Sequence, residues 1–437
     1  MKRYLIFSLV LLQGLLLYAQ STLDYRRNAL AMMLVYHPED EFGINIYNAF
    51  DSLPLPDKYD DHNIGYNVIN DSTITGVQPN KVGLYKAKYG HVLSIPEVKK
   101  NADYLEDLLN RAQIGRLLVG KWFNLMGDSV GNATFSTALI QQRGQYNASD
   151  VDVALASQTI RGVAALADAG EELIGQTFVL INDITYVTAE EEAQAAKVSM
   201  QVIGNIFDAL LGGNTGRNLA SATAAIADSF TGFNVKTHSY LFQLVWNDSI
   251  ADIFYRNHYT AVPNAEKIQA FLADSTSFRV KYVAHEYEYD KKSTLKGKYD
   301  RSELVKTICA RSMDKNIVAL GKQYEDFKVK TPVYKVLENN GRITGYAAKI
   351  GLKEGVSETS KFQVVQRIYN PETHLTTYRY VATVQPVKKQ IWDNRYNAVL
   401  EQDEGSELTY TTFKKVAGGE ILPGMLLIEG KYTKITE

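Results

Sequence analysis

Apolar and polar positions follow two different periods along the chain, and the clearest pattern lies near its middle. Residues 177–184 form a largely apolar, β-branched run, which follows an acidic stretch starting at Asp168 and precedes a helix-start signal at Thr188. Apolar runs of this length are typical of strands buried on both faces of a sheet. The pattern predicts a helix, a strand in the sheet interior and a second helix.

The polar residues beside this run admit two interpretations. Asn182, Asp183 and residues 190–192 could form a ligand site at the C-terminal end of a strand. The sequence favours turn and helix-cap chemistry instead, because the helix dipole stabilises acidic side chains in a first turn.

Helix starts carry a repeated signal, a capping residue followed three positions later by an acidic one. The signal occurs at Ser94 with Glu97, at Ser149 with Asp152, at Thr188 with Glu191 and at Asp300 with Glu303. Helical spacing of apolar residues then predicts helices that reach Phe123, Leu173, Gly212 and Phe327 in turn. Shorter helices are predicted over 218–230, over 248–259 and just after Pro263.

Alternation with period two predicts strands over 233–246 and 278–289. Beyond Lys328 the pattern changes, with short strands predicted over 333–337, 346–350, 362–369 and 378–384. Residues 370–373 are predicted to close a hairpin. The predicted fold class is α+β, with a mixed helix/strand domain over 94–327 followed by a small all-β, barrel-like C-terminal domain over 328–437.

The N-terminal part is predicted to hold a leader and an arm. Lys2 and Arg3 precede an apolar run over 5–17, which is the pattern of a secretory signal peptide over residues 1–20. An uncleaved membrane anchor is the alternative, although the run falls short of the roughly 20 residues that a spanning helix needs. Tyrosines and turn signals over 21–93 favour an arm of short β elements.

Composition limits the cellular location of the protein and the kind of partner that it can bind. The only cysteine is Cys309, so we expect neither an intramolecular disulfide nor a lipoprotein anchor, and Cys309 itself is predicted to be buried. The net charge of -2 gives no electrostatic reason to expect nucleic acid as a partner. The protein is predicted to be exported to the periplasm or the outer membrane.

Three stretches resemble known sites without completing one. Residues 115–121 match most of a phosphate loop, but Trp122 replaces the hydroxyl residue and the stretch lies within a predicted helix. The glycines of 212–217 could hold an anion, although a turn between helices is favoured. Asp57, Asp60, Asp61 and His62 lack the ligand alternation of a calcium loop, which favours a solvated turn. The sequence thus predicts no catalytic residue, cofactor or metal site.

A tripeptide of aspartate, serine and an aliphatic residue or threonine occurs five times. Its serines are Ser52, Ser72, Ser129, Ser249 and Ser275. The tripeptide resembles the acceptor that Bacteroidetes use for O-glycosylation of exported proteins, which makes these serines candidate modification sites. The alternative is that Asp-Ser pairs are ordinary turn and cap residues.

Residues 349–356 (KIGLKEGV) and 361–364 (KFQV) resemble a turn and strand of small β modules in envelope assembly proteins. The C-terminal domain of a flagellar outer-membrane assembly protein is one such module, and the preceding helices and strands are loosely similar to curli-secretion domains. Taken whole, the chain is similar to exported Bacteroidetes proteins. The resemblance implies a role in envelope assembly.

Two functional hypotheses follow. The first is a non-catalytic periplasmic or outer-membrane-associated structural or assembly protein that self-associates or docks on an envelope complex. The second is a secreted enzyme or glycan-binding protein with a site of carboxylates and tyrosines. Residues 198–230 could contact a membrane, but Asp208, Arg217 and Asp228 favour two buried helices there.

Overall fold

A computed structural model of the protein describes residues 28–37, 43–65, 67–69, 93–127, 129–147, 173–188, 230–295, 301–369, 376–396, 398, 408–431 and 435–436. The predicted signal peptide and the helices predicted from Ser149 and Thr188 lie outside the described residues. The helix predicted over 218–230 also lies outside them up to its last residue, and Phe230 begins a strand.

The first domain, which we call the mixed domain, is built on a sheet with the strand order β2, β1, β4, β5, β6. These strands are β1 (Ala29–Val35), β2 (Asp60–Asp61), β4 (Thr177–Thr188), β5 (Phe230–Leu244) and β6 (Val280–Leu295), and β3 (Val68–Ile69) also pairs with β1. β1 runs parallel to β4, whereas β5 lies between β4 and β6 and runs antiparallel to both. The predicted interior position of the strand that starts at Thr177 is confirmed.

The segment 21–93 contributes more than an arm. Strand β1 pairs with β4 along all seven of its residues, and every one of them is buried. The segment also forms helix α1 (Gly43–Asp51). Because β1 is buried along its whole length, its sequence is apolar throughout and shows no alternation with polar residues.

Helices cover both faces of the sheet. One face packs against α2 (Ile95–Arg111), α3 (Ile114–Trp122), α4 (Ala138–Asn147), α5 (Asp248–Ile253) with its π-helical turn Phe254–His258, and α6 (Ala265–Ala273). Phe123 and Phe254 lie at the centre of this core, with ring centroids 4.2 Å apart. The other face packs against α1 and the long helix α7 (Arg301–Gln323).

The helix predicted from Ser94 to Phe123 is two helices. Its capping box of Ser94 and Glu97 is confirmed, but α2 ends at Arg111 and Gln113 adopts a left-handed conformation with φ of 59°. The break lets Gly115 approach the backbone of Phe278, where a Cβ would lie only 2.5 Å from the carbonyl oxygen. The apolar spacing continues across the break, so the sequence predicts one helix where this close approach between distant segments requires two.

The C-terminal part, which we call the β domain, has the strand order β7, β13, β10, β11, β12, β9, β8. The strands are β7 (Lys330–Pro332), β8 (Lys335–Asn339), β9 (Arg342–Ala348), β10 (Phe362–Tyr369), β11 (Thr376–Pro386), β12 (Thr411–Gly418) and β13 (Leu426–Glu429). These seven strands form a curled antiparallel half-barrel, and β14 (Ile435–Thr436) pairs parallel with β11. The predicted α+β class with a barrel-like C-terminal domain is confirmed.

Among the described residues, no helix combines the length and apolar character that crossing a bilayer requires.

Candidate functional site

A cleft of about 270 Å³ lies between the two domains. One wall consists of α7 and the loop before β2, and the other of the turn at 351–356 with strands β10 and β13. Ile317, Val329 and Leu427 contribute to its apolar lining. A second cavity of about 120 Å³ adjoins the cleft, since Asp314 and Lys353 line both.

Gly355 sets how closely the two domains approach each other. Its φ is +75°, and a Cβ at this position would lie 2.7 Å from Val318 Cγ1 in α7. The preceding 3-10 turn, Leu352–Glu354, is held by Glu354, which accepts hydrogen bonds from Gly351 N at 2.7 Å and Asn394 Nδ2 at 2.9 Å. The β domain therefore presents a fixed turn to α7.

The carboxylates around the cleft differ in how readily they ionise. Burial raises the pKa of Asp314 to about 7, and the charges of Glu354 and Asp57 add to this effect, while Lys353 opposes it. Burial also raises the pKa of Glu354, although Lys58 partly offsets the rise. Asp314 thus changes charge near neutral pH, whereas Glu354 is held by its hydrogen bonds.

Lysines and carboxylates line the cleft in equal numbers. The side chain of Lys58 is only 10% exposed, and its Nζ lies 3.5 Å from Asp57 Oδ2, a long contact for a mostly buried ammonium group. Lys322, Lys328 and Lys353 also line the cleft, and none forms an ion pair with another residue in the described part of the chain. These positive charges are balanced by four carboxylates that line the same cleft, Asp57, Asp314, Glu354 and Glu429.

The aromatic rings near the cleft pack against other rings in the protein core. Tyr59 is 3% exposed, its ring stacks on Phe327 at 4.9 Å, and its hydroxyl donates to the Phe327 carbonyl at 3.2 Å. Phe362 packs edge-on against Phe413 at 5.1 Å. These rings are not available as flat surfaces for a ligand to stack on.

A second group of polar residues crosses the sheet at β4, β5 and β6. His37 Nε2 lies 2.7 Å from Asp183 Oδ1, and His238 Nδ1 shares a hydrogen bond of 3.0 Å with His285 Nε2. Asp183 and His238 are partners in the register of β4 and β5. We call these four residues the histidine row.

The histidine row corrects one sequence interpretation. Asn182 and Asp183 lie inside β4 rather than in a turn, and both are buried. Asn182 Oδ1 accepts a 2.7 Å hydrogen bond from Ser239 Oγ, and Asn316 of α7 in turn donates to Ser239 Oγ at 2.8 Å. The apolar run ends at Ile184 and the pattern allows a strand to Val187 at its longest, whereas the strand continues to Thr188 and keeps both polar residues in its interior.

The structure separates the candidate glycosylation serines. Ser52 follows α1, Ser129 lies in a turned loop, Ser249 is in the first turn of α5 and Ser275 follows α6. All four are exposed. Ser72 lies outside the described residues. The structure does not bring the four into one site, which suits independent modification as well as ordinary turn roles.

Two of the remaining motifs receive structural explanations. Residues 115–121 lie inside α3 as predicted, where Gly115 serves close packing. The predicted solvated turn at Asp57, Asp60, Asp61 and His62 is right for Asp57, which is exposed in a turn, and wrong for the rest, because Asp60 and Asp61 form β2 against β1. His62 is fully buried and its Nε2 donates to the Leu118 carbonyl at 3.0 Å.

Burial explains the remaining thiol and polar clusters. Cys309 is fully buried as predicted, and burial raises the pKa of its thiol to about 12. In the described part of the chain, no three histidine, cysteine or carboxylate side chains are placed to hold a metal ion. Residues 212–217 lie outside that part.

The sequence interpretation missed both the cleft and the histidine row. A usable signal for the row was Asp183, a carboxylate on an otherwise apolar interior strand, since such a group needs a buried partner. The cleft had no comparable signal, because its charged residues come from distant segments, such as Lys58 and Glu429, which are 371 residues apart.

No protein-family model and no curated protein matches this sequence.

Proposed function

We propose that the protein is a non-catalytic structural or assembly protein of the periplasm or outer membrane that docks on an envelope complex, and that the cleft between its domains is the docking site. The apolar lining of the cleft, surrounded by lysines and carboxylates from both domains, carries this proposal. Apolar concavities with a few placed charged groups are the usual form of binding sites, and junctions between domains are a preferred location.

The state of the cleft carboxylates supports binding over catalysis. Glu354 accepts two hydrogen bonds that hold the turn, and Glu429 accepts a 2.9 Å hydrogen bond from Ser360 Oγ. Groups used in this way hold the walls of the cleft rather than transferring protons. Self-association remains part of the proposal, with the second copy as one form that a partner can take.

Photo-crosslinking in intact cells tests the proposal. A crosslinking amino acid replaces Lys322, which is exposed at the cleft, and in a matched variant replaces Lys99, which is exposed on α2. We expect a discrete crosslinked product only at position 322, and its loss when Val329→Trp fills the cleft. Identical products at both positions, or a strict monomer with no product at 322, would overturn it.

One observation favours the second hypothesis, a secreted enzyme or glycan-binding protein. A carboxyl group whose pKa is near 7, such as that of Asp314, can serve as a general acid or base, and Asp57 lies in the same cleft. The burial of Tyr59 argues against a carbohydrate platform. A hydrolytic activity of the purified protein that Asp314→Asn abolishes and Asp103→Asn retains would favour this alternative.

A further inference from the structure

Asp314 is the carboxyl group of the cleft that lacks a bonding partner. It is half-buried on α7 and lines both cavities. Within the described part of the chain it forms neither a hydrogen bond nor an ion pair. A charge taken out of water is costly unless it is paired and hydrogen-bonded, so the ionised form of Asp314 is poorly stabilised at this position.

The contact between the domains places Asp314 beside a second carboxyl group. Asp314 and Val318 are four residues apart, so they lie on the same face of α7. Gly355 meets Val318 across the junction, and Glu354 precedes it in the turn. Asp314 and Glu354 therefore face each other between the domains, where both line the cleft.

Glu354 is the fixed member of this pair. Its carboxylate accepts hydrogen bonds from Gly351 N and Asn394 Nδ2, and both donors favour the ionised form. Two carboxyl groups that face each other do not readily ionise together. Asp314, which has no such donor, is therefore the group that takes up a proton when the domains are in contact.

The other charged groups around Asp314 come from three elements. Asp57, in the loop before β2, adds to the repulsion, whereas Lys353 of the turn and Arg311 of α7 oppose it. Arg311 is partly engaged elsewhere, since its guanidinium donates to the Tyr396 carbonyl at 3.1 Å. The cleft is also lined by Lys58, Lys322, Lys328 and Glu429. An ionised Asp314 thus meets carboxylates from two separate segments.

We propose that the domain junction is a proton-dependent gate: with Asp314 protonated the turn Leu352–Glu354 packs against α7, and with Asp314 ionised the two domains separate and open the cleft. The proton is exchanged with solvent. Opening brings the carboxyl group into water, where its pKa returns to about 4. Acid therefore favours the closed form and a rise in pH favours the open form. The gate is a property of the fold and does not depend on what the cleft binds.

Thiol labelling of the full chain at pH 6 and pH 8 tests the gate. Val356 is 2% exposed in the wall of the cleft, so the thiol of Val356→Cys reacts with dithiodipyridine only when the junction opens. Its rate is divided by the rate of the same variant unfolded in urea, which removes the pH dependence of the thiol itself. We expect this normalised rate to rise about tenfold from pH 6 to pH 8, because the pKa of Asp314 is about 7 in the closed form.

Two other thiols separate opening from unfolding. Cys309 is fully buried in the mixed domain, and Val364→Cys places a thiol at a fully buried position of the β domain. Neither position belongs to the lining of the cleft. Both thiols should react more slowly than that of Val356→Cys, and their normalised rates should not rise between pH 6 and pH 8.

Two further substitutions in the Val356→Cys background assign the effect to Asp314. Asp314→Asn mimics the protonated carboxyl group and should keep the slow rate at both pH values, whereas Asp103→Asn should leave the rise unchanged. Thr331→Cys, at another buried position of the cleft, repeats the measurement should Val356→Cys fail to fold.

Three results would overturn the inference. These are a normalised rate that does not change with pH, an equal rise in Asp314→Asn, and a rise that Cys309 shares. Crosslinking at position 322 tests docking separately, so the gate and the docking function can fail independently of each other.

Discussion

His37 Nε2 lies 2.7 Å from Asp183 Oδ1, a contact that joins the second residue after β1 to the interior of β4. Asp183 is 1% exposed and lies opposite Val35 in the parallel pairing of the two strands. A carboxylate at such a position is stable only with a close partner. The pair therefore fixes how the segment after β1 leaves the sheet.

Removal of the carboxylate should destabilise the mixed domain. Asp183→Ala should lower the free energy of unfolding by about 3 kcal/mol, because it leaves His37 without this buried partner. Asp103→Ala is the control, since the Lys99–Asp103 pair is exposed on both sides and should change stability by less than about 1 kcal/mol. Urea unfolding measures both, and equal small effects would contradict a structural role for the pair.

Stability should fall in mild acid because of buried neutral histidines. Burial lowers the pKa of His62 to about 3 and that of His238 to about 4, and it also lowers the pKa of His285. Near His238, Asp183 raises the pKa and Lys236 lowers it further. The unfolded chain binds protons from about pH 6.5 downward, whereas the folded chain does not, so this stabilisation is complete above pH 6.5 and is lost toward pH 4.

The expected loss at pH 5 is about 2 kcal/mol for each of the fully buried His62 and His238. Asp314 acts with the opposite sign, because its folded pKa near 7 is raised and its contribution favours the folded state at low pH. Unfolding at pH 7.5, 6 and 5 should therefore be measured in an Asp314→Asn background. His238→Gln should reduce the pH dependence, and an unchanged dependence would show that His238 is not buried and neutral.

The domain junction should depend on Gly355 in two separable ways. Gly355→Ala places a side chain at positive φ and against Val318, whereas Gly341→Ala has a similar φ of +72° and open space around it. We expect about 1 kcal/mol of destabilisation for Gly341→Ala and a clearly larger loss for Gly355→Ala. Calorimetry measures both variants.

Val318→Ala tests the source of that difference. When it is combined with Gly355→Ala, it should restore the stability lost to the clash with Val318. The stability lost to the positive φ should not be restored. Equal melting temperatures for the two glycine variants would mean that the turn does not touch α7.

The sequence predicted those elements whose pattern is local. Period-two alternation located β5. The strand that starts at Thr177 was predicted from its uninterrupted apolar run.

The features that were missed depend on contacts between distant segments. The break at Gln113 exists because Gly115 meets Phe278, more than 160 residues away. The partner of Asp183 could not be predicted, because His37 lies 146 residues earlier in the chain. The cleft forms where α7 meets a turn of the other domain, and no local pattern marks that meeting.

The candidate glycosylation serines lead to a prediction that separates modification from turn formation. Asp274 Oδ1 accepts hydrogen bonds from the backbone of Thr276 and Ser277, both at 2.9 Å, so this aspartate already has a structural use. Asn can make the same turn contacts, but it breaks the Asp-Ser-Thr tripeptide. Asp274→Asn should therefore keep the fold and remove the modification at Ser275.

Intact mass of the exported protein, compared between variants, measures this effect. We expect the wild type to be heavier than its polypeptide, with equal losses of mass in Asp274→Asn and Ser275→Ala and further losses for Ser129→Ala and Ser249→Ala. Ser94→Ala is the control, because Ser94 is exposed at a helix start but lies outside any such tripeptide. A wild-type mass equal to that of the bare polypeptide would leave turn formation as the whole explanation of these Asp-Ser pairs.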